Sequence, residues 1–261
     1  MSTETIELKL RSGLTANVLK KGRGASLVFF HSHLGQTWDA FLDALAERFT
    51  VYAPRHPGTE DEAELMQLDA ISDLVLYYDD LFAALSIEDP VLVGHSFGGM
   101  VAAEYAAYYT SKVRKLVLID ALGLWVDATP VADINGMSDR KIPALLLADA
   151  TGSVAEDLFS MPSDPVAMAK TIVTRVSTRA AVSHFIWPIP DRDLRRRLYR
   201  IATPTLVVWG NADRYVPPLY ADEFVAGIAG AAKAVIAGAG HFPHVEKQRE
   251  TADAVLAFAA G

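Results

Sequence analysis

The feature that most restricts the fold is a set of short apolar runs with no polar interruption: 27–30 (LVFF), 91–93 (VLV), 116–119 (LVLI) and the run TLVVWG at 205–210. A run of this length that is apolar at every position suits a strand covered on both faces. Between these runs the apolar residues change to helical spacing. Trp38, Phe41, Leu42, Leu45 and Phe49 make one stripe, and Leu74, Tyr78, Leu81 and Leu85 make another. Residues 50–53 form a further strand, stopped by Pro54 and the Pro57-Gly58 pair, and 96–109 suits a buried helix rich in Ala. Strands alternating with helices imply an α/β protein with a mostly parallel sheet flanked by helices.

The rhythm breaks at about residue 122 and resumes at Thr205. The stretch between is mostly helical in pattern and carries Pro130, Pro143, Pro162, Pro165, Pro188 and Pro190. A helix then follows at 218–228, a strand at 233–236 and a last helix at 247–260, with Ala252, Val255, Leu256 and Ala259 on one face. The division expected is a core domain made of 1–121 and 201–261, interrupted by an inserted helical cap over 122–200.

Composition narrows the functional classes. With 261 residues, 51% of them hydrophobic, the chain is too apolar for disorder and long enough for one large core. No apolar run approaches the roughly 18 residues of a membrane helix, and MSTETIELKL has no secretory pattern, so a soluble cytoplasmic protein is expected. The absence of Cys excludes thiolate nucleophiles, disulfides and thiolate metal sites. A net charge of −8 argues against nucleic-acid binding, which draws its affinity from cationic contacts with phosphate. The arginines between Arg192 and Arg200 flank Leu194, Leu198 and Ile201 and read as the solvated side of a buried stripe.

One segment carries chemistry. Gly94-His95-Ser96-Phe97-Gly98 is a G-x-S-x-G match placed between a strand and a helix. That context puts Ser96 on a tight turn with its hydroxyl exposed, at a helix N-terminus that favours developing negative charge. Bulkier residues in place of the flanking glycines would collide with the adjoining strand and helix. A serine hydroxyl is a weak nucleophile and needs a base held by a third group. His241, in AGAGHFPHVE, and Asp213, in WGNADRYVP, both follow the C-terminal ends of strands, where open α/β sheets place their sites. The chain order Ser96, Asp213, His241 fits a Ser-Asp-His triad. Asp120, ending LVLID, is the alternative acid and is read as structural. Glu104 is read as a polar group with a local partner.

With these pieces the chain resembles the α/β-hydrolase fold family over nearly its whole length, through LVFFHSHLG, VLVGHSFGG, LVLIDA, PTLVVWGNADRYVPP and AGAGHFPHVE. The resemblance implies a twisted sheet of about eight strands, with Ser96 as nucleophile, Asp213 as acid and His241 as base. It also implies an oxyanion hole of two backbone N–H groups: one from Phe97, the other by position from His33, with Leu34 as the fallback. The family's His-Gly-x-x-Gly loop reads His31-Ser32-His33-Leu34-Gly35 here, so Ser32 stands where Gly is usual. A second departure follows His56-Pro57-Gly58, where the chain continues TEDEAE. That loop is expected to be rebuilt and to add negative charge at the site mouth. His31 and His33 lack a third ligand nearby, so no metal is expected.

The resulting expectation is a serine hydrolase acting on a small-molecule carboxylic ester, with no cofactor, no nucleic acid and no membrane partner. A carbon–carbon hydrolase of the meta-cleavage type, a lactonase or a thioesterase would share the triad, and a non-catalytic ligand binder is the reading from another class. Trp125 and Trp187, with Phe159 and Phe185, either line an apolar substrate pocket or pack the cap onto the core.

Overall fold

The computed structural model describes residues 2–59 and 61–261. Its sheet has eight strands in the order β1-β2-β4-β3-β5-β6-β7-β8. The strands are β1 (Glu4–Lys9), β2 (Thr15–Gly22), β3 (Ser26–Phe30), β4 (Thr50–Pro54), β5 (Val91–His95), β6 (Lys115–Ile119), β7 (Thr205–Gly210) and β8 (Ala232–Ile236). From β4 to β8 all neighbours pair in parallel, while β1 and β2 add an antiparallel edge. The α/β class and the strand number expected from the sequence both hold.

Period-two alternation sorts each strand between two cores. On one face Leu27, Phe29, Val91, Val93, Val117 and Ile119 meet Phe41, Leu42 and Leu45 of α1 (Ala40–Ala46) and Ala252 and Val255 of α9 (Gln248–Ala260). On the other face Val28, Phe30, Leu92, Leu116 and Leu118 meet α2 (Ile71–Ala84), α3 (Phe97–Tyr108) and α7 (Leu219–Gly227). Burying each such side chain contributes about 1.5–3 kcal/mol. The central strands are apolar throughout because both faces are covered.

Between β6 and β7 lie α4 (Ile142–Leu146), α5 (Ser153–Phe159) and α6 (Pro165–Ile186). Pro165 opens α6, and the Asp164 carboxylate caps it by accepting from the Ala167 amide at 2.8 Å. Arg175 of α6 donates to the Leu158 and Ser160 carbonyls at 3.0 and 3.1 Å, which joins α6 to the C-terminal end of α5. The inner face of α6 buries Ala181, Val182, Phe185 and Ile186, and the Phe185 ring stacks 6.0 Å from that of Phe97.

Two readings of single residues are corrected here. Glu104 has no local partner: its fully buried carboxylate is held by Arg197, 93 residues away, with Nε and Nη2 donating at 2.8 and 2.6 Å. Arg197 consequently does not belong to a solvated face, whereas Arg195, Arg196 and Arg200 are exposed as expected, Arg200 Nε also donating to the Ala107 carbonyl at 2.9 Å. Helical periodicity alone does not reveal a partner brought in from another part of the chain. The stripe itself is as expected, with Leu194, Leu198 and Ile201 buried.

Candidate active site

The strand β5 ends in a turn that only certain residues permit. Ser96 sits at φ 57, ψ −118, a positive φ that costs a non-Gly residue energy and is retained only where its surroundings enforce it. They do so here. The Ser96 amide donates to the Ile119 carbonyl at 2.9 Å, and the Ser96 carbonyl accepts from Leu122 at 3.0 Å. A Cβ on Gly94 would lie 2.2 Å from the Gly98 carbonyl oxygen, and one on Gly98 would lie 2.1 Å from that of Phe30. The two glycines let the elbow close against β3. The hydroxyl is not exposed as expected from the motif: Ser96 Oγ is buried and has no hydrogen-bond partner among the described residues.

Asp213 follows β7 in a tight turn. Its Oδ1 accepts from the amides of Tyr215 and Val216 at 2.8 and 3.0 Å, which fixes the carboxylate. Its Oδ2 lies 2.7 Å from His241 Nδ1, and both side chains are fully buried. With Nδ1–H donating to Asp213, the other ring nitrogen is an acceptor. That atom, His241 Nε2, is buried and has no partner among the described residues. The imidazole is boxed by Tyr215, edge-on at 4.8 Å, and by His95 at 5.0 Å. Glu246 fastens the loop carrying it: Oε1 accepts from Gly240 N and Oε2 from Ala148 N, at 2.8 and 2.7 Å. The His241 amide donates to the Leu146 carbonyl at 2.7 Å.

The loop after β3 is held by a closed chain of neutral groups. His56 N–H donates to His31 Nε2 at 3.0 Å, so His31 Nδ1 carries the proton and donates to the Ser32 carbonyl at 2.7 Å. His56 Nε2–H donates to the His31 carbonyl at 2.8 Å, which leaves His56 Nδ1 to accept from the Tyr78 hydroxyl. Burial lowers the pKa of His31 to about 4 and that of His56 well below its usual value, so both stay uncharged.

Ser32 needs no glycine-like backbone. The left-handed residue of this turn is Gly35, at φ 100. Ser32 Oγ accepts from the Leu34 amide at 3.2 Å, which engages the fallback donor and leaves His33 as the loop's candidate. The Phe97 amide, first in α3, has no carbonyl one turn earlier to bond. The His33 ring is buried, both its nitrogens lack partners among the described residues, and desolvation lowers its pKa to about 3.

His33 borders a cavity of about 380 Å³, walled by Leu34, Ile134, Ile142, Phe159 and Ile172. Its charged lining is Asp139, Arg140, Arg175 and Arg179, so the expected negative mouth is not found there. The acidic stretch after Gly58 turns back on itself instead: Glu64 accepts from the Gly58 amide at 2.8 Å, within a turn continued by a 3-10 helix over Glu62–Gln67. Glu60 lies outside the described residues. Trp125 and Trp187 line a smaller space of about 70 Å³ that also touches His33, while Trp187 is 57% exposed. Phe185 does not line the 380 Å³ cavity; with Trp125 it borders a separate, more open space of about 730 Å³.

Tyr215, Glu246 and His56 lie in segments quoted above, but no motif assigns them these contacts or links His56 to Tyr78. The first two stand within five residues of Asp213 or His241, which was the only available signal. No described helix is long and apolar enough to cross a membrane.

The chain is similar to several known proteins. The chain is 29% identical over 271 residues to the polyketide synthase ThaQ of Burkholderia thailandensis, a match that covers 99% of this chain and 13% of that protein. Its fold is similar to that of a membrane phospholipase A, with TM-score 0.80, 23% identity and coverage of 99% of this chain and 86% of that one. A variant of the meta-cleavage product hydrolase CumD of Pseudomonas fluorescens IP01 gives TM-score 0.78, 20% identity and coverage of 98% and 97%. The profile of the Alpha/beta hydrolase family matches residues 27–254, more than half the chain, and the chain belongs to that family.

Proposed function

We propose that this hydrolase cleaves carboxylic esters, with Ser96 as nucleophile, His241 as base and Asp213 as the group that orients the base. The observation that carries the reading is that His241, already fixed by Asp213 at 2.7 Å, keeps a buried Nε2 without a partner among the described residues, while Ser96 Oγ is likewise buried and unsatisfied on an elbow whose His95 ring lies 5.0 Å from the imidazole. Buried polar atoms without partners are rare and costly, and they recur where a substrate or a proton in flight completes the arrangement.

Ser96 Oγ attacks the ester carbonyl as its proton passes to His241 Nε2. The carbonyl electron pair moves to the oxygen, and the Phe97 and His33 amides donate to the oxyanion. Asp213 stabilises the imidazolium without taking its proton. Collapse breaks the C–O bond, His241 Nε2–H protonates the departing alcohol, and water repeats the sequence to release the acid. The cavity beside His33 accommodates the acyl or alcohol part, with 122–200 acting as a cap over the core. The lining is apolar enough to favour a hydrocarbon chain over a sugar.

The test is hydrolysis of p-nitrophenyl esters from acetate to dodecanoate, with fluorophosphonate labelling in parallel. Ser96→Ala is expected to abolish labelling and lower kcat by on the order of 10⁴-fold or more. Full esterase activity in that variant would overturn the assignment. Labelling of Ser96 without turnover of any ester would keep the triad and point to a thioester, lactone or carbon–carbon substrate.

A further inference from the structure

We propose that Asp120 is a neutral carboxylic acid whose Oδ2–H donates to Asp213, making it a positioning residue for the Asp213–His241 pair. Asp120 follows β6 and is fully buried, at φ 42. Its backbone is pinned by a bond from its amide to the Val208 carbonyl at 3.0 Å. Its Oδ1 accepts from the Gly210 amide at 3.0 Å, so the carboxyl spans from β6 to the end of β7, where the Asp213 turn begins. Ligand atoms of Asp120, Asp213 and His241 all lie within 4.8 Å of one another, in a fully buried group.

Two ionised carboxylates that close in a dry space repel strongly, and one of them takes a proton. The hydrogen bonds decide which. Asp213 accepts two amide hydrogens and the His241 N–H, three donors that all favour its charged form. Asp120 accepts one, and its Oδ2 has no donor among the described residues. A proton on Oδ2 removes the repulsion and turns the orphaned oxygen into a donor toward Asp213. The other charged group bearing on Asp120 is Glu246, which also disfavours a negative Asp120, and burial acts in the same direction. His241 also faces this group, and its hydrogen bond goes to Asp213, not to Asp120.

The role as a positioning residue rests on the hydrolase reading, whereas the protonation state does not. Infrared spectroscopy on the whole protein at pH 7 separates them. A protonated-carboxyl C=O band that shifts in D₂O is expected in the native protein and absent in Asp120→Asn. The rate of fluorophosphonate labelling of Ser96 is then followed against pH. Asn keeps the shape, the neutrality and a donor, so Asp120→Asn is expected to label within about threefold of native, with the acid limb unmoved. Asp120→Ala is expected to label at least tenfold more slowly. Absence of the band overturns the proposal. So does an acid limb that falls by a pH unit or more in Asp120→Asn, which would mean a lost negative charge, and so does native-rate labelling by a folded Asp120→Ala. A native protein that shows the band but never labels would sink the hydrolase reading and leave the neutral Asp120 standing.

Discussion

Ser32 illustrates how a residue that departs from a family pattern can be reconciled by geometry. Its backbone avoids the left-handed region, and its hydroxyl accepts from the Leu34 amide at 3.2 Å. Glycine there would remove that bond and add freedom to the unfolded chain, each worth about 0.5–1 kcal/mol. Ser32→Gly is therefore expected to lower the unfolding free energy by about 1 kcal/mol in urea titrations, with no gain in esterase rate. A faster, equally stable variant would show that Ser32 is a defect. Ser96, Asp213 and His241 can be read as candidates because each follows a strand and has a local motif, and the contact between the last two is present. His33 is a candidate only through resemblance. Tyr215, Glu246 and Asp120 as a partner of Asp213 cannot be read in this way, because their roles come from distances between separate loops.

At the scale of elements, α3 is tied to the segment leading into β7 by the Glu104–Arg197 pair, whose carboxylate is fully buried while the guanidinium is 24% exposed. Breaking a buried pair costs about 3–5 kcal/mol, and partial exposure of Arg197 argues for the lower end. Arg197→Met leaves Glu104 to take up a proton. Desolvation already raises the Glu104 pKa despite Arg197, and removing the cation raises it further. A raised carboxyl pKa means that the folded state binds more protons, so stability falls as pH rises through the window above 4.5. The deficit of Arg197→Met against native is expected to be small near pH 4.5 and to grow toward pH 7. A pH-independent deficit would show that lost packing, not charge, is the cause. The elements themselves were readable wherever an apolar run or stripe lay between turns: β7 falls at the expected 205–210. The β1–β2 edge escaped because its residues are mostly half-exposed and polar, as in ETIELK.

For the molecule as a whole, the histidines set an acid boundary. Of the seven, His31, His33, His56, His95 and His244 are buried with lowered pKa values, desolvation being the first cause in each. A histidine whose folded pKa is depressed binds its proton only after unfolding, so stability falls as pH drops through about 6.5. Each contributes at most about 1.4 kcal/mol per pH unit below that point. Urea midpoints are expected to drop steeply from pH 7.5 to 5.5, with several protons taken up on unfolding. A flat profile over that range would mean that these rings are hydrated in the folded state. The neutral Asp120 acts oppositely, since its raised pKa costs stability as pH climbs.

The bonds from His241 N to Leu146 O and from the Gly240 and Ala148 amides to the Glu246 carboxylate have a mechanical consequence. They rivet the C-terminal end of α4 to the strap that carries the imidazole. A displacement of that end of α4 would carry the imidazole with it and strain its 2.7 Å bond to Asp213. The doorway for any incoming molecule is left to the far wall, where Ile172 and Val176 of α6 border the cavity and stand partly in the open.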